Sequence, residues 1–80
     1  MKVYEAVAAR IQELCKKRNM TVNSLANISG LSPSTFKSII YGASKNPGGA
    51  TIKILCDGLE ITLVEFFDAL VFAELEQEIE

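Results

Sequence analysis

Two helix-start signals with a glycine between them, in the stretch TVNSLANISGLSPSTFKSIIYG, leave this chain few ways to fold. Thr21 offers a side-chain oxygen to the open N–H groups of a helix beginning at VNSLANIS, whose apolar residues are Leu25, Ala26 and Ile28. Gly30 interrupts that helix. Ser32 then caps a further helix with Pro33 in its first position, where a missing N–H costs nothing. Gly42 supplies the positive φ that commonly ends a helix. Ala26 is small where a crossing helix would approach, and Gly30, four residues on, permits the sharp turn of a helix–short turn–helix unit.

The flanks read as helix too. Val3, Val7, Ile11, Leu14 and Cys15 recur at three- and four-residue steps without glycine or proline. Lys16, Lys17 and Arg18 close that first helix; they suit either its carbonyl end or a phosphate clamp. After the turn-rich ASKNPGG, a fourth helix from about Ala50 to Leu59 buries Ile52, Leu55, Cys56 and Leu59. ITLVEFF follows, with Thr62 and Glu65 at capping-box spacing. No segment alternates with period two over a useful length. The expected fold is therefore all-α, with about five helices.

Eighty residues make one domain with a thin margin for a core of its own. The N-terminal apolar residues are broken by Glu5, Arg10, Gln12 and Glu13, so no export signal is expected, and no run is long enough to span a bilayer. A cytoplasmic protein is expected, with no membrane partner. Cys15 and Cys56 lie far apart, and the chain has no histidine; both cysteines read as buried small hydrophobes, with no metal or other cofactor expected. PGGAT lacks the Lys-Ser/Thr that would complete a phosphate loop. Without a metal-ligand cluster or a nucleophile beside a base, no enzyme is expected.

The net charge of −2 hides a division. Residues 1–53 hold all eight basic residues against Glu5 and Glu13, a local balance of +6, while residues 54–80 carry eight acids and no base. The division fits a polyanion-facing half with an acidic half turned away, and equally a chance clustering of solvated charge.

In the third helix, Phe36, Ile39 and Ile40 share one face, while Ser34, Lys37, Ser38 and Tyr41 share the opposite arc. Burying the first set presents the second outward. Here the sequence resembles the lambda-repressor/Cro-like helix-turn-helix family, also called the xenobiotic-response-element family. The matching features are Leu25, Ala26, Gly30, Leu31, Phe36, Ile39, Gly42 and Asn46-Pro47, in order within MTVNSLANISGLSPSTFKSIIYGASKNP. The likeness covers roughly residues 3–70. It implies a compact five-helix DNA-binding domain over residues 1–70, a helix-turn-helix at about 22–41, and a recognition helix at about 33–41 lying in the DNA major groove.

Carried over by position, the resemblance implies base contacts from Pro33, Ser34, Lys37 and Ser38. Lysine can donate to guanine O6 and N7, and a serine hydroxyl can serve several bases, but proline offers only apolar contact. Direct readout is then modest, supplemented by DNA shape. Phosphate contacts are implied from Thr21, Val22 and Asn23 at the start of the second helix, and from Tyr41, Ser44, Lys45 and Asn46 beyond the third. The family commonly has glutamine where this chain has Val22; Asn23 is the polar substitute. Gly48 and Gly49 replace a usual cap and core residue, which delays the start of the fourth helix. Glu60 stands where glycine is common, at a cost of about 1 kcal/mol if the backbone there is left-handed.

Residues 71–80 form an acidic amphipathic extension in which Phe72, Leu75 and Ile79 follow a helical step. Together with Phe67, the residues Phe66, Leu70, Val71, Phe72, Leu75 and Ile79 exceed what so small a core has room for. They are expected to meet a second copy in a homodimer, with a frayed tail as the alternative. The function expected is sequence-specific binding of double-stranded DNA by a small transcriptional regulator, a repressor on a palindromic operator, associated with the nucleoid when bound and with no small-molecule ligand. The competing expectation is a protein-interaction module of the same fold, partner-binding or antitoxin-like, with weak DNA affinity.

Overall fold

The computed structural model describes residues 1–41 and 48–79. Gly42, Ser44, Lys45, Asn46 and Pro47 lie outside them, as does Glu80. Among the described residues, five α-helices run in order: α1 Val3–Lys17, α2 Val22–Ser29, α3 Pro33–Ile40, α4 Gly49–Leu59 and α5 Leu63–Phe67. A 3₁₀ turn follows at Leu70–Glu74. The all-α reading holds; α4 begins at Gly49 with Gly48 as its N-cap, so the two glycines do not delay it as expected.

Capping explains where the helices begin. Thr21, Ser32 and Thr62 sit in extended backbone, and each accepts a hydrogen bond from the N–H three residues on: Ser24 at 3.0 Å, Thr35 at 3.2 Å and Glu65 at 3.1 Å. The Glu65 carboxylate accepts in return from the Thr62 N–H at 3.2 Å, closing the capping box.

One device ends three of the helices. Asn19, Gly30 and Glu60 adopt left-handed backbone, with φ of 53°, 72° and 58°. The next residue in each case (Met20, Leu31, Ile61) donates its N–H to a carbonyl five residues back, on Cys15, Ala26 and Cys56 at 3.0, 3.1 and 3.0 Å. That same residue packs its side chain on the core, and the residue after it is the next N-cap. The chain thus turns three times with the same order: left-handed residue, apolar plug, hydroxyl cap. Glycine fits the left-handed position without strain, but glutamate does not. Glu60→Gly should therefore raise stability by about 0.5–1 kcal/mol, the relief of left-handed strain less the greater freedom of unfolded glycine. Thermal denaturation checks this; a midpoint that falls would show that Glu60 carries a favourable contact outweighing the strain.

The core gathers Val7, Ile11, Leu14 and Cys15 from α1, Leu25 and Ala26 from α2, Phe36, Ile39 and Ile40 from α3, the four expected residues of α4, and Phe66. Ile28, apolar and on α2, is instead exposed. Helices α2 and α4 come close at Gly58, where an added Cβ would lie 2.5 Å from Ser29 Oγ and 3.4 Å from Leu25 Cδ1. The missing side chain lets α4 support α2 from behind.

Two expectations for the C-terminus need correction. Phe66 was expected at a subunit interface, but it is 0% exposed within this single chain and belongs to the core. The helical step of Phe72, Leu75 and Ile79 does not produce a helix through them. The chain breaks after α5 and turns once at Leu70–Glu74, and Leu75 is extended. The reason is aromatic packing: the turn returns Phe72 to ring-centroid distances of 6.1 Å from Phe66 and 4.9 Å from Phe67. The following residues lie along the start of α1. There Glu76 N–H donates to Met1 O at 2.8 Å, and the Glu78 carboxylate accepts from Val3 N–H at 3.2 Å.

Sequence reading also missed Arg10, which it took as a break in an apolar run. Arg10 is 7% exposed. Its Nε donates to Phe66 O and its Nη2 to Glu65 O, both at 2.7 Å, and Nη1 pairs with Glu13. A five-residue helix leaves its last carbonyls short of partners: Phe66 O accepts from Arg10, and Glu65 O accepts from Arg10 as well as from Asp68 N–H at 3.3 Å. No nearby sequence signal marks this role, because the partners are backbone atoms more than fifty residues away.

Candidate nucleic-acid interface

The α3 helix is held by Ser32 and Pro33 at one end and by Phe36, Ile39 and Ile40 beneath. With that face buried, Pro33, Ser34, Lys37 and Tyr41 are exposed, Tyr41 by 78%, and Ser38 is half-buried. The outward arc inferred from helical periodicity is the arc observed.

Chemistry along the arc is uneven. Ser38 Oγ donates to Ser34 O at 3.0 Å, which leaves the Ser38 hydroxyl to act outward as an acceptor. Lys37 can only donate, and it has no carboxylate partner among the described residues. One helical turn thus presents a cationic donor beside a hydroxyl acceptor, with the Pro33 ring at the helix start.

The turn between α2 and α3 brings the second set of residues alongside the first. Val22, Asn23, Pro33, Lys37 and Tyr41 line one small notch over Phe36. Asn23 is exposed, whereas the Val22 side chain packs on the core. The Thr21 hydroxyl is engaged in capping: it accepts from Ser24 N–H and donates to Ser24 Oγ at 2.9 Å. The N–H groups of Val22 and Asn23 have no protein partner among the described residues. What Val22 can offer a ligand is therefore its backbone, which the missing glutamine does not affect. Ser44, Lys45 and Asn46 fall outside the described residues.

Elsewhere the structure offers little chemistry. Cys15 and Cys56 are buried and unpaired, and burial pushes both thiols up from their ordinary value, away from the reactive thiolate. Among the described residues, no helix is long and apolar enough to cross a membrane.

Comparison with known proteins agrees with this geometry. The Cro/C1-type HTH DNA-binding domain family matches residues 10–69 of the chain. The crystal structure of prophage Lp1 protein 11 superposes with a TM-score of 0.81 at 36% sequence identity, over 94% of this chain and 100% of that one. No curated protein matches the chain significantly. The fold, the two capped helices across Gly30 and the outward face of α3 are those of a helix-turn-helix protein, and the chain belongs to the Cro/C1-type HTH DNA-binding domain family.

Proposed function

We propose that this protein is a sequence-specific regulator of transcription, a repressor that seats α3 in the major groove of a palindromic operator as a homodimer. The observation that carries the reading is the exposed α3 face, with unpaired Lys37 beside the hydroxyls of Ser34 and Ser38, on a helix capped at its start and packed along its back. Lys37 donates to a guanine edge, Ser38 accepts from an exocyclic amine, and Pro33 touches a thymine methyl. The backbone N–H groups of Val22 and Asn23 receive a phosphate, with Thr21 as their cap and Tyr41 opposite; Ser44, Lys45 and Asn46 continue that contact.

Residues 1–70 carry DNA binding, and residues 71–80 serve the dimer contact. In support of the latter, Leu70 and Ile79 are 89% and 80% exposed, with Val71, Phe72 and Leu75 half-buried beside them. The protein acts in the cytoplasm, on nucleoid DNA, and is not an enzyme. A second reading, an interaction module that binds another protein, is favoured by the apolar surface of Val64, 80% exposed, with Leu63 and Phe67.

The test is selection of bound duplexes from a random library at low salt, then titration of the winner across a salt series. The expected result is an enriched palindrome with half-sites about 34 Å apart and a linear fall of log K with log salt. An unenriched library would sink operator reading and leave the interaction module.

A further inference from the structure

The charge pattern on α1 extends this reading beyond the residues assigned so far, and rests on it. Seven cationic side chains lie among the described residues. Three face carboxylates: Lys2 faces Glu78 at 3.9 Å, Arg10 faces Glu13, and Lys53 faces Asp57. The other four, Lys16, Lys17, Arg18 and Lys37, face none. Glu13 is the natural helical partner of Lys16 and Lys17, three and four residues ahead of them. It is turned away because Arg10, fixed by the carbonyls of α5, takes it.

These cations are not equivalent. Lys16 lines an open groove with Gln12, one turn earlier on α1, and with Thr21, Val22 and Tyr41 across from them; Lys17 and Arg18 do not. Val22 and Tyr41 also line the notch that holds Lys37, so the Lys16 groove opens directly beside the recognition face. A duplex whose major groove receives a helix carries its phosphates along both flanks of that helix. One flank of α3 is this groove, and an unpaired ammonium beside an amide is what a phosphate needs there.

We propose that Gln12 and Lys16 form a seat for a DNA backbone phosphate, whereas Lys17 complements the carbonyl end of α1 and does not touch DNA. Lys16 supplies the charge and Gln12 a neutral side-chain donor. The seat positions the duplex and reads no base.

Salt dependence separates these roles, because only a charge that neutralises a phosphate releases counterions. Binding of the full chain to a mixed-sequence duplex is measured across a salt series for the unaltered protein, Lys16→Gln, Lys17→Gln and Gln12→Ala, with thermal melts confirming that each variant folds. The slope of log K against log salt should shrink by about 0.9 for Lys16→Gln and stay unchanged for Lys17→Gln. Gln12→Ala should weaken binding severalfold with the slope unchanged. Equal slopes for the unaltered protein and Lys16→Gln, or the same loss in both lysine variants, would overturn the seat and leave the DNA-binding reading standing. Absence of salt-dependent binding by the unaltered protein would overturn both.

Discussion

Reversing one charge on α3 should abolish operator binding while the fold persists: Lys37→Glu is expected to lose about 100-fold or more in affinity. A good base contact is worth about 1–3 kcal/mol, and a carboxylate in its place adds repulsion from the phosphates on either side. Lys37→Ala, which removes the contact without the repulsion, should cost roughly 5- to 150-fold and relax preference at one base pair. Lys37 is exposed and has no ion-pair partner among the described residues, so either change should alter stability by no more than about 1 kcal/mol, from the carbonyl end of α3. Titration of the selected duplex beside a thermal melt reads both quantities. A Lys37→Glu protein that binds normally would remove α3 from the major groove.

The largest stability effect should come from Arg10→Met. Methionine fills much of the same space but donates nothing, which leaves Phe66 O without its donor and Glu65 O with only the Asp68 N–H at 3.3 Å. The abandoned Phe66 carbonyl costs about 1–3 kcal/mol and the charged bond lost by Glu65 O adds to it, so the combined loss should be about 2–4 kcal/mol. For a domain of this size that lowers the midpoint by roughly 10 to 25 °C. Arg10→Lys should recover only part of the loss, since a single ammonium lacks the planar fork that reaches two carbonyls and Glu13 together. Urea and thermal denaturation measure both variants. A loss under about 1 kcal/mol for Arg10→Met would mean that water replaces the guanidinium without difficulty.

Parts of this structure were legible because the physical cause is a side chain close to its effect. Thr21, Ser32 and Thr62 cap helices with their own oxygens, and Gly30 is itself the residue that tolerates left-handed backbone. The outward arc of α3 followed from helical period once Phe36, Ile39 and Ile40 were given to the core. The left-handed backbone at Glu60 was anticipated only through a family habit, and that at Asn19 was not, since neither side chain announces the turn that the apolar plug after it enforces. Arg10 was opaque for the opposite reason: its partners are peptide carbonyls, identical in every residue. At the C-terminus the period of Phe72, Leu75 and Ile79 misled, because ring contacts with Phe66 and Phe67 outweigh helical spacing. In the site, local bonds from Ser38 to Ser34 and from Thr21 to Ser24 decide which lone pairs and protons remain for a ligand, and composition carries no trace of them.

Two of the ties on α1 close long loops of chain. The acceptors for Arg10 stand fifty-five and fifty-six residues downstream, and the carboxylate beside Val3 stands seventy-five residues away. Without those residues, α1 would keep Glu13 as the one partner of its guanidinium among the described residues and would lose the cover of Phe66 over the core. They tie the helix-turn-helix pair, through α1, to α5 and the C-terminal turn, so the domain is expected to fold as a unit rather than helix by helix.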